Sequence, residues 1–180
     1  MNLTDVITGT PVTSEELRAA RDRRVLKKWE LLSVGCGSCL VEFSLNIAGA
    51  VKVFPFARAA FREELRELQE KLGRFSIKNT KICEEPTGDH AFFLLDSPEI
   101  PVKQFLVSIE ESHPLGRLFN LDVCGLDGVS VKRQDLHLLP RTCLVCGGDA
   151  NTCLAQKRHS MELIQWQTAK LFNDHFRDRS

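Results

Sequence analysis

The segment Glu110–Val123, which reads EESHPLGRLFNLDV, joins a polar stretch of helical character to an apolar run. The chain turns at Pro114 and Gly116 and then enters a strand-like run that carries Asp122. Glycine lets a backbone approach a phosphate closely, the guanidinium of Arg117 can bind two phosphate oxygens, and a carboxylate on the strand can hold Mg²⁺. The segment therefore indicates either a phosphate site or, as the alternative, a hairpin turn with an exposed arginine and a solvated aspartate.

A longer pattern surrounds this segment. The sequence HPLGRLFNLDV is followed by RTCLVC and then by a further cysteine and histidine, and an Arg21-Asp22 pair precedes it. From Arg21 to about His159, this pattern resembles the apo-citrate lyase phosphoribosyl-dephospho-CoA transferase family, also called holo-citrate lyase synthase. The resemblance has one departure, because Asn120 stands where the family usually has the first of two aspartates.

The resemblance implies an enzyme of the nucleotidyltransferase type. Its reaction would transfer the 2'-(5''-triphosphoribosyl)-3'-dephospho-CoA prosthetic group to a serine of the citrate lyase acyl carrier protein subunit, with release of diphosphate and with Mg²⁺ as cofactor. The implied partners are that carrier protein and the triphosphoribosyl-dephospho-CoA donor. Two alternatives stay open: a related synthase that serves the carrier of malonate decarboxylase, and a noncatalytic adaptor that binds a carrier protein.

The candidate site residues follow from the central segment together with this resemblance. We expect Asp122 to bind Mg²⁺ and Arg117 to bind phosphate. The other candidates for catalysis are Asn120, Asp135 and Glu110. The candidates for substrate binding are Gly116, His113, Arg21, Lys52 and Arg58.

Length and composition bound the class of protein. The 180 residues suffice for one domain, which we expect over residues 13–180 after a flexible arm of residues 1–12. Lys plus Arg (24) equals Asp plus Glu (24), so no overall positive field favours nucleic acid. The chain has no apolar run of transmembrane length and no signal-peptide pattern at its start, and we therefore expect a cytoplasmic protein that acts without a membrane.

Local patterns predict an α+β fold. A capping box formed by Thr13 and Glu16 predicts a helix over about 14–30. A second helix should begin at Pro55 and end at Gly73. Strands are expected over 40–47, 75–85, 90–95 and 118–125, with 129–133 returning as a hairpin, and further helices over about 98–112 and 160–176. These elements indicate a mixed, mainly antiparallel sheet of four or five strands with packed helices, similar by analogy to nucleotidyltransferases.

The first predicted helix is densely basic. Arg21, Arg24 and Lys28 are spaced so that they share one helix face. That face is either a solvated surface or a docking surface for phosphates or for an acidic carrier protein.

Seven cysteines in a chain with no export pattern indicate reduced thiols or metal ligands rather than a disulfide framework. The Cys36-x2-Cys39 pair is interpreted as two incidental thiols in a flexible turn. A second group, here named the Cys/His cluster, consists of Cys143, Cys146, Cys153 and His159. Its spacing could close a tetrahedral structural Zn²⁺ site within the segment 143–159, and the alternative is that these are reduced thiols in the packing.

Overall fold

The computed structural model describes residues 6–177 and contains, in that range, five α-helices and one four-stranded sheet. The strands are β1 (Cys39–Leu45), β2 (Ile77–Cys83), β3 (His90–Leu95) and β4 (Phe119–Gly125). The helices are α1 (Ser14–Ser33), α2 (Pro55–Leu72), α3 (Glu99–Ser112), α4 (Ala150–Ala155) and α5 (Met161–Arg177). The strand order is β2-β3-β1-β4, and every pair is antiparallel. The α+β prediction is confirmed, although over the described residues the sheet is antiparallel throughout rather than mixed.

The sheet separates a large apolar core from a small one. Phe43 of β1 stacks on Phe61 of α2 at 5.1 Å between ring centroids, and Phe119 of β4 packs edge-on to Phe43 at 5.7 Å. Helices α2, α3 and α5 cover this face. Helix α1 covers the opposite face, where Leu31 and Leu32 bury a smaller apolar cluster. Because each large buried side chain contributes about 1.5–3 kcal/mol, the larger core dominates the stability of the fold.

Local sequence signals set where the first two helices begin. The Thr13 hydroxyl accepts a hydrogen bond from the Glu16 N–H at 3.2 Å, and the Glu16 carboxylate accepts one from the Thr13 N–H at 2.7 Å, which is the predicted capping box. Helix α2 begins at Pro55 as predicted. The α-helix also ends at Gly73 as predicted, but Gly73 has a φ of −52° and begins a 3₁₀ turn, and the left-handed residue is Ser76.

The returning strand of the predicted hairpin is reduced to a short contact with β4. An isolated bridge and a hydrogen bond from the Val131 N–H to the Val123 carbonyl, at 2.8 Å, hold it there. The Nζ of Lys103 in α3 donates a hydrogen bond to the carbonyl oxygen of Leu121 at 2.6 Å. Because this acceptor on the edge of β4 is taken, the returning chain leaves the sheet and forms the 3₁₀ turn Arg133–Leu136.

The first residues also differ from the expected flexible arm, of which residues 1–5 lie outside the described part. Val6 and Val12 are buried, and Pro11 bridges Val51 beyond β1. Because these apolar side chains are buried, residues 6–12 pack against the rest of the fold, which a polar arm would not do. Among the described helices, none combines the length and the apolarity that a membrane crossing requires.

Candidate functional site

A cleft of about 1050 Å³ lies beside the edge strand β4. The turn before β4, the loops after it and parts of α4 and α5 complete its walls. Its charged lining comprises six basic and two acidic side chains: Lys103, Arg117, Lys132, Arg133, Arg141, Lys157, Glu110 and Asp122. Because cations outnumber carboxylates, the cleft favours a polyanionic ligand such as a polyphosphate chain.

Asp122 and Asn120 line this cleft from β4. Phe119, Leu121 and Val123 alternate with them and are buried in the larger core, so the two polar side chains project from the opposite face of the strand. The Asn120 amide donates a hydrogen bond to a carboxylate oxygen of Asp122 at 2.9 Å. The side chains thus share a face, as the strand period predicts.

Glu42 of β1 places a second carboxylate next to Asp122. The two residues lie directly opposite each other in the antiparallel register, and Arg24 of α1 approaches Glu42 at 3.6 Å. Burial raises the pKa of the Glu42 carboxyl, Arg24 partly offsets this, and the charge of Asp122 adds to it. Glu42 could not be identified from the sequence. Alternation along a strand shows which face a residue lies on, but it does not show which strand pairs with it.

Arg117 and Arg141 connect the turn before β4 to the far wall of the cleft. A guanidinium nitrogen of Arg117 donates to the hydroxyl of Thr142. Arg141 donates to the carbonyls of Gly116 and Phe119, at 3.0 Å and 2.7 Å. The turn and the segment around Thr142 therefore hold each other in place. Arg141 was missed because nothing in its local sequence indicates this long-range contact.

Glu110 lines the cleft, but its carboxylate is already engaged. The side chain is 4% exposed, accepts a hydrogen bond from Arg133 at 3.0 Å, and lies 3.8 Å from the Nε of Arg141. Removing one partner of such a buried pair would leave an uncompensated charge. We therefore interpret Glu110 as an anchor for two cleft arginines, a role that differs from the further catalytic acid expected from the sequence.

Lys103 is a buried cation that the sequence did not indicate. Its Nζ donates to the Leu121 carbonyl, so the ammonium lies at the strand that carries Asp122. Burial lowers the pKa of Lys103, while the charges of Glu110 and Asp122 oppose that effect. A helix pattern assigns a lysine to solvent by default, and only the packing of α3 against β4 places it in the cleft.

Gly116 is required for close packing, and the expected approach of a phosphate to its backbone stays a prediction. A Cβ at this position would lie 2.1 Å from the backbone carbonyl oxygen of Glu110. The turn therefore folds directly onto the last part of α3, with no space for a side chain. Gly116 positions Arg117 next to it.

His113 supports the same turn from the core side. Its Nδ1 accepts a hydrogen bond from the Leu115 N–H at 3.1 Å, and its ring stacks on Phe119 at 4.8 Å between centroids. Its Nε2 lies 3.7 Å from a carboxylate oxygen of Glu64, whose pKa burial raises to about 7. His113 is not among the residues that line the cleft, so its predicted contact with substrate is not evident in this arrangement.

Lys52, Arg58 and Asp135 also lie outside the lining of the cleft. Lys52 donates to the Ile47 carbonyl at 2.6 Å, and both guanidinium contacts of Arg58 go to the buried Asp89, at 3.0 Å and 3.2 Å. The Asp135 carboxylate accepts from a backbone N–H of its own 3₁₀ turn at 2.7 Å. Each side chain has a local partner that the sequence pattern could not reveal.

The basic face predicted on α1 is divided in two. Arg24 faces Glu42, and the Nζ of Lys28 donates to the Gly128 carbonyl at 2.8 Å, so both residues hold α1 against the sheet and the loop after β4. Arg21 is exposed, and Arg18 lies one turn before it and is exposed as well. Of the predicted face only Arg21 is open to a partner, and together with the neighbouring Arg18 it forms the exposed basic part of α1.

The structure brings the Cys/His cluster together at the far wall of the cleft. The four ligand atoms lie within 4.8 Å of one another, and the Cys146 and Cys153 sulfurs are 3.6 Å apart. Tetrahedral zinc with sulfur ligands at about 2.3 Å requires sulfur pairs about 3.8 Å apart. The Nε2 of His159 is buried and has no hydrogen-bond partner among the described residues. The cluster therefore fits a tetrahedral metal ion.

The surroundings of Cys143 lower the pKa of its thiol. Burial alone would raise its pKa, but the N–H groups of Cys146 and Val145, together with the thiols of Cys153 and Cys146, lower it. The Val145 N–H lies 3.4 Å from the Cys143 sulfur. In contrast, burial raises the pKa of Cys153 to about 11, and the neighbouring thiols add to that shift.

Comparisons with known proteins identify the family of the chain. The sequence profile of the apo-citrate lyase phosphoribosyl-dephospho-CoA transferase family matches residues 12–175. A Vibrio cholerae serotype O1 (strain M66-2) protein, named "Probable apo-citrate lyase phosphoribosyl-dephospho-CoA transferase", is 33% identical over 139 residues, which cover 76% of this chain and 78% of the relative. A Streptococcus pyogenes serotype M5 (strain Manfredo) protein of the same name is 29% identical over 176 residues, which cover 93% and 89%.

A longer relative matches in the same way. "Protein CitXG" of Haemophilus influenzae (strain ATCC 51907 / DSM 11121 / KW20 / Rd) is 31% identical over 169 residues, which cover 93% of this chain and 36% of the relative. The family profile spans both the turn that precedes Asp122 and the Cys/His cluster across the cleft. On this match the chain belongs to the apo-citrate lyase phosphoribosyl-dephospho-CoA transferase family.

Proposed function

We propose that the protein transfers the phosphoribosyl-dephospho-CoA unit of the donor 2'-(5''-triphosphoribosyl)-3'-dephospho-CoA to a serine of the citrate lyase acyl carrier subunit and releases diphosphate. The observation that supports this function is the cleft, in which Asp122 faces a surplus of basic side chains in a chain of this family. A triphosphate donor carries several negative charges at neutral pH, and a cationic cleft lowers the free energy of binding it. We also propose a nucleotidyltransferase-type catalytic domain that acts in the cytoplasm.

The proposed reaction forms one phosphodiester bond and breaks one phosphoanhydride bond. The serine oxygen attacks the phosphorus next to the ribose, diphosphate leaves in line with the attack, and the serine proton is released. Arg117 and the neighbouring cations of the cleft would stabilise the charge that develops on the leaving diphosphate. Holding donor and serine in line would supply much of the remaining rate enhancement.

Mg²⁺ is the metal proposed at Asp122. The Asp122 carboxylate and the carbonyl of the Asn120 amide are both oxygen donors, which Mg²⁺ prefers, so these side chains fit the ion. When bound, Mg²⁺ neutralises negative charge on the donor phosphates. Asn120 contributes no charge at the position where the family usually has an aspartate, so Asp122 would supply the negative charge of this pair.

Carrier labelling tests the proposed function. Purified protein, Mg²⁺ and donor labelled in its dephospho-CoA part are mixed separately with the apo carrier of citrate lyase and with that of malonate decarboxylase. Label on the citrate lyase carrier, and none on a carrier whose acceptor serine is changed to alanine, is the expected result. Label only on the malonate decarboxylase carrier would support the related synthase. A carrier that binds but acquires no label would support the noncatalytic adaptor.

Zinc is the metal proposed for the Cys/His cluster. Protein purified without chelator is expected to contain about one zinc ion per chain, because three thiols and one imidazole complete a tetrahedral site. Cys146→Ser is expected to lose the metal and to lower the melting temperature, whereas Cys36→Ser, an exposed cysteine outside the cluster, should change neither. Elemental analysis and thermal unfolding measure both. If the wild-type protein contains no metal and Cys146→Ser has the same melting temperature, the packing alternative is supported.

The exposed basic part of α1 is proposed to contribute to binding of the carrier or the donor. The double variant Arg18→Glu/Arg21→Glu is expected to raise the KM for the carrier at low salt, with little change in stability, because both side chains are exposed. Arg66→Glu on α2 is a matched control, since it is also an exposed arginine and lies on another helix. An unchanged KM at low ionic strength would contradict the proposal.

A further inference from the structure

The segment 126–160 has almost no apolar core of its own. Within it Cys143 and Cys153 are the only buried residues, whereas Leu139 and Leu154 are 84% and 77% exposed. Ordering a backbone costs about 1–2 kcal/mol per residue. So little apolar burial cannot offset that cost, and other interactions must order the segment: Arg133 and Arg141 contact Glu110, and the Cys/His cluster brings the remainder together. Both buried side chains are thiols of the Cys/His cluster.

The cluster is also continuous with the part of the cleft that holds Arg117. Arg141, Thr142 and Cys143 are consecutive, and Thr142 pairs with Asp149 in an isolated antiparallel bridge. On this short stretch the Thr142 hydroxyl accepts from Arg117. The preceding Arg141 donates to the backbone carbonyl of Gly116, in the turn before β4, and to that of Phe119, the first residue of β4. One peptide bond therefore separates a candidate metal ligand from the partner of a cleft arginine.

We propose that a zinc ion in the Cys/His cluster organises the far wall of the donor cleft and so gives the protein its triphosphate-binding arrangement of arginines. This inference rests on the proposed function and adds a specific role for the metal, which acts on donor binding without touching the reacting phosphate. Zinc binding orders Cys143, and with it Thr142 and Arg141. Loss of zinc frees the part of the segment around Cys143, whereas Arg133 keeps its contact with Glu110, and Arg117 then loses the hydroxyl that orients it.

The test uses the full chain and three readouts: zinc content, protease cleavage within 126–160, and the Kd for inorganic triphosphate by calorimetry at constant Mg²⁺. Cys146→Ser is expected to lose zinc, to become cleavable in this segment, and to bind triphosphate about tenfold more weakly or worse, the scale of losing an oriented charged hydrogen bond. Cys146→His keeps four ligands and should restore all three readouts. Cys36→Ser should match the wild type throughout.

Two further samples separate the metal from the fold. Wild-type protein stripped by chelator and then reloaded should lose and regain triphosphate binding, which guards against a Cys146→Ser protein that fails to fold. Thr142→Ala should keep zinc and protease resistance yet still weaken triphosphate binding, because only the link to Arg117 is removed. Zinc loss with an unchanged Kd, zinc-free wild-type protein, or no triphosphate binding by zinc-loaded wild-type protein would each overturn the proposal. Failure of carrier labelling alone would instead contradict the proposed function.

Discussion

Replacing Asp122 with asparagine is expected to reduce the rate of carrier labelling by at least about 10²-fold, the scale of losing one major electrostatic stabiliser. Asp122 is the carboxylate of β4 that lines the cleft, and its neighbour Asn120 is uncharged. The substitution keeps the size and the hydrogen-bonding capacity of the side chain but removes its charge. Folding should survive, because Asp122 is exposed and surface substitutions rarely change stability by more than about 0.5 kcal/mol. Single-turnover labelling across a Mg²⁺ titration measures the effect.

Asn120→Asp is the informative partner of this variant. The Asn120 amide now donates to an Asp122 oxygen at 2.9 Å, and an aspartate would replace that donor with a second carboxylate. Two carboxylates so close together repel each other unless a cation lies between them. We therefore expect half-maximal activity at lower Mg²⁺ in Asn120→Asp, with maximal activity equal or higher. Wild-type rates in Asp122→Asn would contradict both the metal site and the role assigned to β4.

Replacing Gly116 with alanine is expected to destabilise the protein by about 1–3 kcal/mol and to reduce activity more strongly than this loss of stability explains. The added Cβ would lie 2.1 Å from the Glu110 carbonyl oxygen, which belongs to the backbone of α3 and cannot rotate away. The turn must therefore move, and Arg117 moves with it. Denaturant unfolding gives the stability change, and carrier labelling under conditions where the variant is fully folded gives the activity.

Gly73→Ala is a matched control, because a Cβ there meets no atom within 4 Å and the φ of −52° suits any residue. This control should leave activity unchanged and raise stability slightly, since alanine costs less backbone entropy than glycine. A Gly116→Ala protein as active as Gly73→Ala would show that the position of the turn does not matter to the reaction.

Elements that depend on neighbouring residues in the chain could be predicted from the sequence. The capping box at Thr13 and the proline at the start of α2 act within one helical turn, so their effects follow from local hydrogen bonds and backbone angles. The alternation in β4 likewise places Asn120 and Asp122 on one face of the strand. The Cys/His cluster was recognisable for a similar reason, because its ligands fall within a short segment.

Roles that depend on packing between distant segments could not be predicted. Arg58 was expected to bind substrate, and the structure pairs it with Asp89, a residue distant in the chain, outside the lining of the cleft. Glu110 was expected to act as an acid, which stays a prediction, and its contacts with Arg133 and Arg141 could not be foreseen from the sequence. Local sequence indicates that a side chain is charged, but the partner that satisfies the charge is decided by the tertiary structure.

The sequence by itself predicted α1, α2, α3 and α5, the four strands of the sheet, the polar face of β4 and the spacing of the Cys/His cluster, because these arise from contacts between residues close in the chain. It did not predict α4, and the strand expected over 129–133 is absent from the described sheet. Only the tertiary structure decided that Glu42 lies opposite Asp122, that Lys103 reaches the edge of β4, and that the cluster forms the far wall of the same cleft. Strand order and helix docking minimise the exposure of the whole apolar core at once. That is a property of the complete chain, and no short stretch of residues contains it.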